Sequence, residues 1–394
     1  MKSEEIVIVA AKRTPIGAFL GSLSGLSAPK LGSMAHIGAI EAASISPNDI
    51  DEVISGCVLQ AGIGQAPARQ AAILAHIPYS TGATTINKMC GSGMKAVMMA
   101  HDLLQVGAAK IVLASGMESM SLTPYLLSKA RSGYRLGHGE LKDHMFLDGL
   151  EDAYDQGKLM GYFADETAET YHLSREDQDA FAIESMQRAL NAQSSGAFLA
   201  EITPITVSTR NGDLTITQDE TPDAKKIAKV SHLKPAFHPN GTVTAASSSA
   251  IADGAATLIL MSATEAQRRG CRPLAKIVAQ STHSQAPQDF ATAPLPAMTK
   301  VIAAAGWQQD QVDLFEINEA FAAVALAAIK TLELDPSTVN IHGGACALGH
   351  PIGASGARIL VTLIHALKAR QKKRGVAALC IGGGEATAMA IELI

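Results

Sequence analysis

Aromatic side chains are scarce in this 394-residue chain: one Trp, six Tyr and nine Phe, 4% in all. A core with so few rings must be filled by aliphatic side chains, and apolar residues do reach 47%. Charge is sparse too, at 18%, with a formal net charge of −5. The missing basic excess argues against nucleic acid or an anionic membrane as a general partner. An anionic small molecule is not excluded, because a local basic patch suffices. No apolar run has the length of a bilayer span; the longest, Ala320–Ile329, is bounded by Glu319 and Lys330. The five cysteines are irregularly spaced and form no CxxC pair, so they read as reduced thiols of a cytoplasmic compartment. Met1-Lys-Ser-Glu-Glu5 lacks the apolar core and cleavage site of a secretory leader, which gives the same expectation. A dinucleotide fingerprint is missing, since Ala11-Lys-Arg-Thr-Pro15 follows the first strand-like run instead of GxGxxG. Zinc is disfavoured, because Cys346 and His350 are the lone Cys/His pair at helical spacing.

What is present is an α/β pattern. Short β-branched runs (Ile6–Ala10, Val53–Gly56, Ile111–Ala114, Leu258–Met261, Ala377–Ile381) alternate with longer helical stretches. After Cys90, the residues Met94, Val97, Met98, His101 and Leu104 recur at helical spacing. From about Leu122 to Ala246 the chain is richer in charge and reads as an insertion. Ser174-Arg-Glu-Asp177 predicts a capped helix start there, with Ala180, Ile183, Met186 and Leu190 on its apolar face. A polar stretch at 262–273 marks a boundary. Gly91-Ser-Gly93, an apolar helix and a strand are echoed by Ala354-Ser-Gly356, Ile359–Leu367 and a strand from Val376. Two related halves are the reading, with chance likeness of two βαβ units as the alternative.

Four stretches can carry chemistry. Cys90 stands in Met-Cys-Gly-Ser-Gly just before a helix, where the positive end of the helix dipole favours thiolate. It reads either as a nucleophile with a lowered pKa or as an inert core thiol. His350 lies in the glycine-rich Gly343–Gly356 loop, between Gly349 and Pro351, as a thiol-activating base or a structural histidine. Cys380 ends a strand before Gly382-Gly-Gly384, whose free backbone N–H groups suit an oxyanion; alone, the cysteine itself reads better as core. Asn318, in Glu316-Ile-Asn-Glu-Ala-Phe321, is a water holder or a helix cap.

Together these motifs occur in one order over essentially the whole chain, and the set resembles the thiolase family. Ala11-Lys-Arg-Thr-Pro-Ile-Gly17 and Gly116-Met-Glu-Ser-Met120 add to the resemblance. It implies two βαβαβαββ halves packed as an αβαβα sandwich, residues 1–121 with 247–270 and residues 271–394. Residues 122–246 are implied to form a loop domain for coenzyme A and oligomer contacts. The activity implied is acyl transfer between acetyl-CoA and acetoacetyl-CoA by a ping-pong route, with longer 3-oxoacyl chains left open, and without metal or redox cofactor. Cys90 becomes the acyl-thioester nucleophile, His350 its base, and Cys380 the group that exchanges the α-proton. By the same resemblance, Asn318 holds a water that, with His350, serves one oxyanion, and the N–H groups of Cys90 and Gly382 serve the other. Met160, Ser249, Ala320 and Phe321 are implied at the substrate. The basic run Lys225, Lys226, Lys229 and Lys234 is either a coenzyme A contact or a solvated face. A homodimer or homotetramer is expected.

Departures from the family pattern fall at Leu159, Ser247, Ala252, His342, Cys346 and Glu385, and bear mostly on substrate binding. The competing readings are a β-ketoacyl synthase-like condensing enzyme, which shares the fold, and a non-catalytic acyl-CoA or lipid-binding scaffold.

Overall fold

The computed structural model describes residues 4–210 and 212–394. The first half runs β1 (Ile6–Arg13), α1 (Ala28–Ala43), β2 (Glu52–Gly56), α2 (Pro67–Leu74), β3 (Gly82–Ile86), α3 (Ser92–Gln105) and β4 (Ile111–Ser119). An insertion carrying α4 (Met160–Thr170) and α5 (Arg175–Ser195) precedes the half's last strand, β5 (Ala252–Ser262). The second half follows as β6 (Ala275–Ser284), α6 (Pro294–Ala304), β7 (Leu314–Ile317), α7 (Ala322–Thr331), α8 (Ile352–Ala369), β8 (Arg374–Ile381) and β9 (Glu385–Leu393).

The strands lie in the order β7-β8-β9-β6-β1-β5-β4-β2-β3, so each half repeats one topology. In the first half the order is β3-β2-β4-β5-β1, with β2 parallel to β3 and β4 and the remaining pairs antiparallel. In the second half it is β7-β8-β9-β6, with β7 parallel to β8 and the others antiparallel. The halves meet where Val7 and Ile8 of β1 pair with Lys276 and Ala275 of β6.

One strand of the repeat is nearly missing. The counterpart of β3 in the second half shrinks to a single parallel bridge between Phe315 and Val339. Pro336 precedes it and Asn340 follows with φ +48°, so an extended run cannot continue. The Asn340 side chain replaces the ladder: its amide oxygen accepts from Ile317 N at 2.8 Å, and its NH₂ donates to Ile317 O at 2.8 Å.

Side chains alternate across the strands. Ile6 and Ile8 of β1, with Leu379 of β8 and Met389 of β9, join the cluster that holds α3 and α8. Val7 and Val9 face the opposite way, onto α1 and α2. Val376, Ala378 and Cys380 of β8 pack instead with α6 and α7. The layers are thus helix, sheet, paired helices, sheet, helix. The central pair is close: a side chain on Gly93 of α3 would begin 2.7 Å from Ala357 N of α8. Helix α8 is long and apolar enough by composition to cross a membrane, but 83% of that window is buried inside the fold. Arg358 and His365 interrupt its apolar run in the sequence, yet a helix apolar on all sides is what a central layer needs.

In the insertion, Ser174 and Asp177 form the expected reciprocal cap of α5. The expected apolar face is rotated, however. Ala180 is exposed, Ile183 and Leu190 are half-buried, and the buried positions include Gln178, Ala182, Ser185, Met186 and Ala189. Polar side chains are buried there because they have partners. Ser185 Oγ donates to Glu319 at 2.7 Å, and Gln178 Nε2 donates to Thr242 Oγ1 at 2.8 Å.

Candidate active site

The loop from the edge strand β3 into α3 carries Cys90. Met89 takes φ +47°, an uncommon conformation for a non-glycine residue and one that turns the chain sharply before Cys90. Ser92 ties the turn: its Oγ accepts from Lys88 N at 2.8 Å and donates to Met89 O at 2.7 Å. Ile381 of the second half packs its Cδ1 onto Gly91, where a side chain would displace it. The backbone N–H groups of Gly382 and of Cys90 itself lie near the Cys90 sulfur and favour its thiolate.

The thiol is not activated in the resting site. Burial pushes Cys90 up to about 11, and the two backbone hydrogen bonds only partly oppose it. Against the lowering expected at a helix start, the net shift is upward, because a thiolate is desolvated here.

His350 is placed by its neighbours. Gly349 has φ +105°, and Pro351 caps the start of α8. The ring Nδ1 lies 2.5 Å from Ser355 Oγ, and that hydroxyl donates its single proton to Pro351 O at 3.0 Å. Nδ1 must then carry the hydrogen, which leaves a lone pair on Nε2. Nε2 is buried without a hydrogen-bond partner among the described residues. Burial first, and the Arg358 charge second, hold the imidazole down at about 3, so it is neutral at physiological pH. A neutral thiol thus shares a cavity with a neutral imidazole whose basic nitrogen is free.

Cys380 lies at the end of β8 and is 1% exposed. Burial raises its thiol well above the ordinary range, and the neighbouring Cys90 adds to the rise. Asn318 follows β7, and it is not a helix cap: Phe321 occupies the cap position of α7. Its backbone N–H bonds Ala378 O at 2.9 Å, while both atoms of its side-chain amide are buried without a partner among the described residues.

A cavity of about 300 Å³ is lined by Cys90, His350, Cys380 and Gly382. Met160, Ser249, Ala320 and Phe321 line it too, so the candidate substrate residues converge on the candidate catalytic ones. Asn318 is not on that lining, although Ala320 N bonds its carbonyl at 3.0 Å. The lysines do not reach this cavity. Lys226 and Lys229 line a second one, of about 310 Å³, and Lys225 borders neither. They stand on and just after the short helix Ala224–Ile227, whose cap is Asp223. Consecutive residues line the two cavities, Ser249 the first and Ala250 the second.

Several contributors were not anticipated. Ser355 sets the His350 tautomer. Glu118, fully buried, accepts from Val58 N at 3.1 Å, Leu59 N at 3.1 Å and Gly353 N at 2.8 Å, which pins the start of α8 to the first half. Burial raises its carboxyl to about 7 against those bonds. Glu118 lies inside a recognised motif, but nothing local in sequence says that its partners come from two halves. The wall formed by Leu150, Tyr154 and Phe290 gave no sequence signal either.

The departures find structural places. His342 packs edge-on against Phe198 with ring centroids 5.7 Å apart, away from the cavity. Ser247 Oγ accepts from Thr244 N at 2.8 Å, and its carbonyl accepts from Ala322 N at 2.8 Å. Leu159 precedes α4 without lining the cavity, and Ala252 is buried at the start of β5. Cys346 lines the second cavity, and Glu385 pairs with Lys88.

The sequence matches the profile of the thiolase N-terminal domain over residues 6–264 and that of the thiolase C-terminal domain over residues 271–393. The chain belongs to the thiolase family. It is 50% identical over 388 residues to an acetyl-CoA acetyltransferase of Escherichia coli, with 98% of each chain covered. Acetyl-CoA acetyltransferase 2 of Arabidopsis thaliana is 49% identical over 393 residues, covering 99% of this chain and 97% of the plant protein. Among solved structures, the acetyl-CoA acetyltransferase of Bacillus anthracis superposes with a TM-score of 0.97 at 41% identity, covering 100% of this chain and 99% of that one. A thiolase from Ascaris suum in complex with coenzyme A gives 0.93 at 42% identity, covering 99% and 100%. The fold expected from the motifs is thereby the fold of this thiolase.

Proposed function

We propose that this thiolase is an acetyl-CoA acetyltransferase that interconverts two acetyl-CoA with acetoacetyl-CoA and CoA through an acyl-thioester on Cys90. One observation carries the reading: Cys90 and Gly382 line one cavity with an imidazole whose Nε2 has no partner among the described residues and with a second thiol. In the first half-reaction, His350 Nε2 takes the Cys90 proton as the sulfur attacks the thioester carbonyl. Charge develops on the carbonyl oxygen, where the N–H groups of Cys90 and Gly382 receive it. The departing CoA thiolate takes the Cys380 proton and leaves as CoA–SH.

That transfer explains why Cys380 is kept a neutral thiol. It becomes a base only once the acyl-enzyme has formed, facing a protonated His350. In the second half-reaction the Cys380 thiolate removes the α-proton of acetyl-CoA. The carbanion attacks the acyl carbonyl, the bond from that carbon to the Cys90 sulfur breaks, and Cys90 recovers its proton from His350. Protons balance over the cycle, and no redox cofactor or metal takes part in this scheme. Asn318, with an amide unclaimed by the described residues, holds the water that serves the enolate oxygen beside His350. Coenzyme A extends toward the second cavity, where Lys226 and Lys229 meet its phosphates. We read the working unit as a homo-oligomer in a cytoplasmic compartment.

The test is to mix the enzyme with acetoacetyl-CoA and free CoA and follow the enolate absorbance. Its loss is expected. No loss, together with malonyl-dependent condensation, would instead assign a decarboxylating synthase, a chemistry that Cys380 in the proton-transfer position disfavours.

A further inference from the structure

The oxyanion pair proposed above is built from two loops, one from each half. Cys90 sits in the turn before α3, and Gly382 in the turn between β8 and β9. Beyond the Gly382 N–H and the packing of Ile381 on Gly91, an ion pair joins them. Lys88 Nζ bonds both oxygens of Glu385, at 2.8 Å each. Lys88 is two residues before Cys90, with the positive-φ Met89 between. Glu385 is three residues beyond Gly382 and is fixed at the first pair of the β8–β9 ladder, opposite Ile381. It also accepts from Ser284 Oγ of β6 at 3.1 Å. The pair is sheltered but not sealed, with side-chain exposures of 22% and 34%. Neither residue lines the cavity. The glutamate, at a position where the family pattern more often has Met or Gln, thus has a definite partner.

We propose that the Lys88–Glu385 ion pair is a positioning clamp that sets the spacing of the Cys90 and Gly382 N–H groups, and so governs the rate of the acyl-transfer steps. The clamp rests on the reading of those groups as an oxyanion hole. A carboxylate on a strand fixes the ammonium, and the ammonium holds a turn whose backbone would otherwise relax at Met89. Both N–H groups must lie within hydrogen-bond reach of one oxygen, and small displacements are costly in rate.

The test is a set of variants, Lys88→Met, Glu385→Gln and the exchange Lys88→Glu with Glu385→Lys, measured by steady-state kinetics and urea unfolding. Each single variant is expected to lower kcat by about tenfold, with KM changed by less than about twofold and the unfolding midpoint kept. The exchanged pair is expected to recover most of the loss. Glu385→Gln at wild-type kcat would overturn the clamp, as would a loss seen wholly in KM. Should the single variants lose stability, recovery of kcat by the exchange still supports the clamp, and stability restored without kcat overturns it. Acylation of wild-type Cys90 by acetyl-CoA tests the underlying oxyanion reading separately, since its absence would sink that reading whatever the clamp variants do.

Discussion

Two buried asparagines near the end of β7 should respond in opposite ways to truncation. Asn318 is fully buried, and neither atom of its amide bonds to the described residues. Removing it strands no protein group, only the water it is read as holding, and the small cavity left offsets the relief of a buried amide. Asn318→Ala is therefore expected to change unfolding free energy by less than about 1 kcal/mol, in either direction. Catalysis should suffer far more. Losing one oxyanion stabiliser typically costs about 10²–10³ in kcat, and a contact made through water places Asn318 near the lower figure. Asn340 is the control. It satisfies Ile317 N and O and donates to Glu319 at 2.9 Å, so Asn340→Ala leaves several buried groups unpaired. Each unpaired group costs about 1–3 kcal/mol, so this variant should be strongly destabilised. The assay pairs urea unfolding with acetoacetyl-CoA thiolysis for both variants. Wild-type kcat in Asn318→Ala would refute the reasoning, as would a stability loss matching that of Asn340→Ala.

Cys380→Ser is expected to stop thiolysis and condensation at steady state while a single acylation of Cys90 by acetyl-CoA stays measurable by mass spectrometry; near-normal condensation would remove Cys380 as the proton carrier. The resting thiol gives a pH prediction. With Cys90 raised to about 11 and His350 lowered to about 3, no thiolate–imidazolium pair forms between those values. Iodoacetamide labelling of Cys90 in the free enzyme should therefore keep rising with pH through about 9–10, beyond the usual thiol value of about 8.5. A rate already level from pH 6 would mean an ion pair and contradict the neutral resting site. The sign for stability follows. A raised folded pKa favours the protonated thiol. The contribution would be full at high pH if the unfolded thiol ionised last, but here it ionises first, so stability is lost as pH climbs from the ordinary thiol range toward about 11.

Much of the candidate site was legible only once the order of the motifs suggested a family, since each motif alone allowed a second reading; what marked them locally was glycine-bearing turns. Cys90, His350 and Gly382 each lie where the chain must bend sharply or approach another backbone, and those constraints are local. The β-branched runs marked β1, β2, β4, β5 and β8, and helical spacing marked α3, while β3, β6, β7 and β9 went unread. What escaped the sequence depends on partners distant along the chain. Glu118 takes hydrogens from both halves, Ser355 matters through the proton it gives away, and Ser185 is buried because Glu319 accepts from it. The same effect rotated the face of α5, since hydrophobic spacing cannot see a satisfied buried polar group. The direction of the Cys90 shift failed for a related reason: a helix start is visible in sequence, while the burial that outweighs it is set by the whole fold. The shortened strand at Val339 was hidden because a side-chain amide takes the place of a ladder.

The most direct measurement of the central claim is the site of acylation. Wild-type enzyme is mixed with acetyl-CoA, quenched in acid, digested and mapped by mass spectrometry. One acetyl group on the peptide carrying Cys90, absent in Cys90→Ala, is the result predicted. An acetyl group on Cys380 or Cys346, or turnover in Cys90→Ala, would contradict the account.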